Sequence, residues 1–223
     1  MIPPRSSAAR SITGVVAGIH THDPWLLIPV KSLGGGKSRL GPVWDAPARR
    51  ALNEFLVRRM LQISSEVPGA HRTAVISACE DALLLAKSYG IHAIRQLSEP
   101  GLSCAAEEGL AALRGLGATD VLVLASDEPL VRPSDIRDLS ERGARHREVL
   151  ICPDKHNAGT NAIYLPCQAS LRFQFGEGSC RKHFREALRA GLVPRIYLNK
   201  RIAFDVDTPA DLRLWLQGYR AIG

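Results

Sequence analysis

The chain has 223 residues, 45% of them hydrophobic, 23% charged and 5% aromatic, with a formal net charge of +7. That is the balance of a globular α/β domain, and no stretch approaches the ~20 apolar residues that span a bilayer. The positive charge suits anionic partners, but the basic residues are dispersed and aromatic residues are too few for base stacking along a strand. A nucleotide and a small phosphorylated acid are anions as a nucleic acid is, so the charge alone does not choose between them; with the motifs considered, the small anions are expected and no nucleic-acid or membrane partner.

Residues 1–22 read as a leader or tail. The run Gly14-Val15-Val16-Ala17-Gly18 is too short for a secretory core, which takes about 7–15 apolar residues. From residue 23 onward the chain reads as a single domain. Leu26 to Val30 predicts a first buried strand, followed by a glycine-rich loop. Ala48, Ala51, Leu52, Phe55, Leu56, Met60 and Ile63 recur at helical spacing. Thr73–Ser77 predicts a strand, Asp81–Tyr89 a helix closed by Gly90, Ile91–Ile94 a strand and Ser103–Leu113 a helix. Val121–Leu124 is apolar on both faces, as a central parallel strand should be. A helix from Pro133 to about Ala144 follows, then strands at Val149–Ile151 and Ala162–Leu165 and a helix over Ser179–Ala190. Strands are expected at Arg195–Leu198 and Ala203–Val206, and a final helix at Thr208–Gln217. Thr208, Pro209 and Asp211 form a capping box at its start. Strand–helix alternation predicts a mainly parallel central sheet flanked by helices, with ligands beyond the carboxyl ends of the strands.

The five cysteines, Cys79, Cys104, Cys152, Cys167 and Cys180, form no Cys-x-x-Cys pair. Their odd number, with no secretory leader, fits reduced thiols in the cytoplasm. Each is expected to fill a small buried apolar position.

Four segments carry chemistry. Pro29 to Leu40 combines Gly34, Gly35 and Gly36 with Lys31, Lys37 and Arg39. Glycines let backbone N–H groups approach phosphate oxygens, and the cations offset their charge. Gly36-Lys37-Ser38 invites a Walker A reading, but that motif needs a glycine where Lys31 stands, so the spacing fails. Ser126-Asp127-Glu128-Pro129 follows the central strand and aims a carboxylate at the ligand crevice. Asp205-Val206-Asp207 places two carboxylates on one face of an extended segment, where they repel unless a cation lies between them. Mg²⁺ suits such a pair together with phosphate oxygens. Phe175 to His183 places Gly176 and Gly178 before a helix with Ser179 as expected N-cap, which makes an anion site. His183 is either turned to that site or a packing histidine. Gly159-Thr160-Asn161 is a second small polar loop.

Taken together, these motifs resemble the guanylyltransferases of deazaflavin coenzyme F-420 biosynthesis, the CofC or FbiD family, from about Trp25 to Leu216. The resemblance implies a single-domain, Rossmann-like nucleotidyltransferase fold of GT-A type. It implies transfer of GMP from GTP to 2-phospho-L-lactate, phosphoenolpyruvate or 3-phospho-D-glycerate, with release of pyrophosphate and hand-over to the downstream deazaflavin transferase. By the same resemblance Asp127, Asp205 and Asp207 match metal-binding aspartates, while Thr160, Gly176 and Ser179 match positions that hold the acid. Lys31, Lys37 and Arg39 would neutralise the β- and γ-phosphates of GTP as the acid's phosphate attacks in line, and Ser103 lies where the family meets the nucleotide. The oligomeric state implied is monomer or homodimer. Two departures stand out: Glu128 replaces the family's usual Leu, and Ser103 its usual Asn. The alternatives are a cytidylyl- or molybdopterin-type transferase, a basic nucleic-acid-binding module, and a small-molecule kinase.

Overall fold

Leu26, Leu27 and Ile28 are sealed from solvent, because the strand that carries them, β1 (Trp25–Pro29), has helices over both of its faces. The computed structural model describes residues 24–218, so the expected leader over residues 1–22 lies outside the described residues. The other strands are β2 (Thr73–Ser77), β3 (His92–Arg95), β4 (Asp120–Leu124), β5 (Val149–Pro153), β6 (Thr160–Pro166) and β7 (Pro194–Ile196). They form one sheet in the order β3-β2-β1-β4-β6-β5-β7.

Pairing is parallel between β1 and both of its neighbours, between β2 and β3, and between β5 and β7. The reversed strand is β6, antiparallel to β4 and β5. The link over residues 154–159 is too short for a parallel crossover, which takes a dozen residues or more.

The helices are α1 (Ala46–Ser64), α2 (Glu80–Ser88), α3 (Leu102–Gly115), α4 (Pro133–His146), α5 (Ser179–Arg189) and α6 (Pro209–Leu216). Alternation along β1 divides the core. Leu26 and Ile28 pack with Val57, Met60, Leu85 and Leu139 of α1, α2 and α4. Leu27 packs on the opposite face with Ala106, Leu110 and Leu113 of α3, and Cys180 and Ala187 of α5 belong to the same cluster. Two helical glycines set close approaches: a Cβ on Gly109 would lie 2.7 Å from Leu27, and one on Gly143 would run into the Tyr164 ring.

Three expectations are corrected. Residues 203–206 form no strand: the segment joins none of the ladders of the seven-stranded sheet. Their extended course survives through packing: Phe204 and Val206 are buried with Leu40, Leu52, Leu56 and Leu212, which turns Asp205 and Asp207 the other way. One backbone bond, from Val206 N–H to the Asp127 carbonyl at 3.3 Å, ties the segment to the end of β4. The cysteines are all free, yet only Cys152, Cys167 and Cys180 are buried; Cys79 and Cys104 are half-buried. The third correction concerns Ser179 and belongs to the site below.

Candidate active site

The glycine loop after β1 is shaped by its own side chains. Ser32 Oγ accepts from the backbone N–H groups of Gly34 and Gly35, at 3.2 Å each. Asn53 of α1 holds the loop's other side by donating to the Leu33 and Gly35 carbonyls. Gly36, at φ 107°, and Lys37, at φ 52°, then turn the chain through left-handed conformations. The result is a cavity of about 260 Å³ at the carboxyl ends of β1 and β4, lined by Lys31, Ser32, Gly35, Gly36 and Lys37, by Ala125, Ser126 and Asp127, and by Asp207.

The turn directs Lys37 inward, its side chain 6% exposed. Its Nζ lies 2.6 Å from Asp127 and 3.0 Å from Asp207. Burial alone would lower the pKa of this ammonium, but the two carboxylates outweigh it and hold it above the ordinary lysine value. Arg39 is largely exposed, 3.9 Å from the other Asp207 oxygen. Lys31 is exposed at the cavity wall.

Asp205 faces a second cation. Lys155, from the β5–β6 link, donates to the Asp205 carbonyl at 2.8 Å and to its carboxylate at 3.2 Å, and pairs with Asp211 at 2.8 Å. Burial raises the Asp205 pKa, Lys155 opposes that rise, and Asp127 and Asp207 add to it. The three aspartates are thus near enough to feel one another. Among the described residues, however, no three acidic, histidine or cysteine side chains converge as a finished set of metal ligands. Lys37 fills the gap between Asp127 and Asp207. The chemistry of the donors still fits a hard divalent ion: the carboxylate oxygens of Asp127 and Asp207 stand with Asp205, whose pKa is raised by burial first and by the other two next.

Lys155 escaped the sequence reading, as did Arg59, which donates to the Pro129 and Val131 carbonyls and fixes the loop after Asp127. Glu128 points into the protein. It is 2% exposed, and neither carboxylate oxygen has a hydrogen-bond partner. Burial, then Asp127 and Asp205, push its pKa well above the carboxylate range.

A second cluster lies beside the first. Ala125 N–H donates to the Asn161 carbonyl, which sets Thr160 next to the Ala125–Asp127 turn. Thr160 Oγ1 is 3.2 Å from Ser179 Oγ and 3.0 Å from His183 Nδ1. Ser179 is not the N-cap: Gly178, at φ 66°, holds that place, and Ser179 is the first helical residue with its hydroxyl turned to Thr160. Gly176, at φ 113°, has open space where a side chain would stand. Ser103 faces this cluster, its Oγ accepting from Phe175 N–H at 2.9 Å, and Leu102 alone of that helix start lines the cavity. Ser103 is thus tied to the Phe175–Gly178 loop, at the helix start whose Leu102 lines the cavity.

The sequence pattern described as guanylyl transferase CofC like matches residues 25–219. The chain belongs to this family. It is 37% identical over 186 residues to the phosphoenolpyruvate guanylyltransferase of Rubrobacter xylanophilus, covering 83% of this chain and 90% of that one. It is 33% identical over 192 residues to the 2-phospho-L-lactate guanylyltransferase of Methanothermobacter thermautotrophicus, covering 83% and 81%. In fold it is similar to a nucleotide-diphospho-sugar transferase from Desulfovibrio desulfuricans (TM-score 0.71, 20% identity, 89% and 87% covered). A CMP:2-keto-3-deoxy-manno-octonic acid synthetase shares the fold more distantly (TM-score 0.57, 16% identity, 88% and 98% covered). The Rossmann-like nucleotidyltransferase architecture expected for the family is the one observed. Among the described residues no helix is long and apolar enough to cross a membrane.

Proposed function

We propose that the chain transfers GMP from GTP to a phosphorylated three-carbon acid, phosphoenolpyruvate first among the candidates, and releases pyrophosphate. The observation that carries this reading is the placement of Lys37 between Asp127 and Asp207 at the wall of a glycine-lined cavity. Cations and backbone N–H groups there suit a triphosphate, and the choice of acid follows two relatives of 37% and 36% identity that are phosphoenolpyruvate guanylyltransferases.

Lys31 and Arg39 would meet the outer phosphates at the open side. Lys37, already charged and fixed by two carboxylates, would stabilise negative charge as the bond to the leaving pyrophosphate breaks. Thr160, Ser179 and the backbone at Gly176 would hold the acid next to the Ala125–Asp127 turn, so that its phosphate oxygen faces the α-phosphorus. No covalent intermediate on the chain is needed. Mg²⁺, held by Asp127, Asp205 and Asp207, would neutralise charge between the two phosphates. Placement in coenzyme F-420 biosynthesis, with the product passed to a deazaflavin transferase, follows from the family.

The test is pyrophosphate release with GTP, Mg²⁺ and each of the three acids, with the downstream transferase and deazaflavin acceptor present to trap the product. Strongest turnover with GTP and phosphoenolpyruvate is expected. Equal or better use of CTP, or turnover indifferent to the acid, would overturn the assignment.

A further inference from the structure

His183 is fully buried one turn into α5, edge-on to Phe175 with ring centroids 4.8 Å apart, and to Phe173 at 6.1 Å. Both ring nitrogens are engaged. The backbone N–H of Gln174 donates to Nε2 at 2.8 Å. An amide N–H has no lone pair to offer, so Nε2 must be the bare nitrogen. Burial, with a smaller contribution from Lys182, holds the imidazole down to about 4, so the ring is neutral near pH 7. A neutral ring with a bare Nε2 carries its proton on Nδ1. That proton points at Thr160 Oγ1, 3.0 Å away.

A consequence follows for the hydroxyls. Once Thr160 Oγ1 accepts from His183, its own proton is directed away from the ring; Ser179 Oγ, 3.2 Å away, donates to its second lone pair, which leaves the Thr160 proton for a ligand beside it. The two hydroxyls then have a defined polarity. The Gln174 amide donates to the imidazole, the imidazole and Ser179 donate to Thr160, and the Thr160 proton is available to an anion. Free hydroxyls would have to be oriented by the ligand itself, at a cost in affinity.

Resting on the acid-binding reading of Thr160 and Ser179 above, we propose that His183 is a positioning residue that locks Thr160, with Ser179 donating to it, as a hydroxyl donor toward the phosphorylated acid. It touches neither substrate nor the cavity that suits GTP.

The test uses the whole protein in three forms: wild type, His183→Phe and His183→Asn. Phe keeps an aromatic ring against the stacked Phe173 and Phe175 but donates nothing. Asn places an N–H near the Nδ1 position and leaves a void. Steady-state rates are measured with phosphoenolpyruvate and GTP varied separately, beside thermal melting. The expected result is an acid KM raised about tenfold or more in His183→Phe, the scale of one lost buried hydrogen bond, with the GTP KM unchanged. His183→Asn should show a several-fold smaller rise in acid KM despite the lower melting temperature. A purely structural role would rank the variants the other way, by stability. Nitrogen-15 NMR of the wild-type imidazole supplies a readout independent of turnover, with the proton expected on Nδ1. A proton found on Nε2, or acid and GTP KM values that rise together in His183→Phe, would overturn the inference while leaving the transfer reaction standing. A wild type that turns over no acid would overturn the transfer reading, and this inference with it.

Discussion

Lys37 Nζ and Asp127 Oδ2 lie 2.6 Å apart, joining the glycine loop after β1 to the turn after β4 across the wall of the cavity. The contact has a consequence for Lys37→Ala. Its loss removes the buried positive charge at the cavity wall and leaves Asp127 and Asp207 facing each other. The rate of pyrophosphate release should fall about 10²- to 10³-fold, the usual cost of losing one electrostatic stabiliser of a transition state. Lys37→Arg should recover little, because the planar fork cannot replace a compact ammonium held between two carboxylates. Near-normal rates in either variant would remove Lys37 from the mechanism.

Asp205 predicts a pH dependence. Its pKa is raised by burial and by Asp127 and Asp207, and Lys155 limits that rise. If Asp205 acts as a carboxylate, activity falls as pH drops through a value above the usual aspartate range. Lys155→Met removes the opposing influence, so the acid limb should move further toward neutral pH. Raising Mg²⁺ should move it back, because metal and proton compete for the same oxygens. Profiles of kcat/KM at two Mg²⁺ concentrations check both directions, and an acid limb indifferent to both changes would count against a metal role for Asp205.

Glu128 predicts a gain in stability. A buried carboxyl without partners costs about 1–3 kcal/mol. Glu128→Leu should raise the melting temperature by roughly 2–4 °C per kcal/mol. The sign with pH is fixed by the raised pKa in the folded state. Below the unfolded value, ~4.3, the side chain is neutral in both states and the charge-related part of the cost is absent. Above it the folded chain must keep a proton that the unfolded chain has released, so the advantage of Leu should grow as pH rises. A melting temperature lowered at every pH would mean that Glu128 has a partner when ligands bind or in solution.

These effects show where the sequence was readable. The strands around β1 were legible because burial on both faces leaves continuous apolar runs, and the Thr208–Asp211 capping box appears as expected. The direction of β6 was not, because apolar runs carry no polarity. The short link between β5 and β6, with Asp154 and Gly159 in it, was the available signal of a hairpin. Asp205 and Asp207 face one way as alternation predicts, but packing of Phe204 and Val206 holds them there in place of a ladder. Lys155 carries no local signal, because its partner Asp205 lies 50 residues away. His183 was ambiguous for the same reason: its partners, Thr160 and the Gln174 amide, are set by tertiary contacts.

Ser103 has contacts on one side and a family role on the other, and it gives a prediction that separates the two readings. Placed by the family pattern, it belongs to the nucleotide, so Ser103→Ala would raise the GTP KM. Placed by the structure, its Oγ accepts from Phe175 N–H at 2.9 Å and steadies the loop that leads to Gly176 and Ser179. Removing that acceptor strands a half-buried amide, at about 0.5–1.5 kcal/mol. The cost falls on the acid's side of the pocket. The acid KM should therefore rise about 2- to 10-fold while the GTP KM holds, with RT ln of the ratio matching the lost bond. The measurement is the pair of KM values in the same preparation. A rise confined to GTP would return Ser103 to the nucleotide and break the link between α3 and the acid loop.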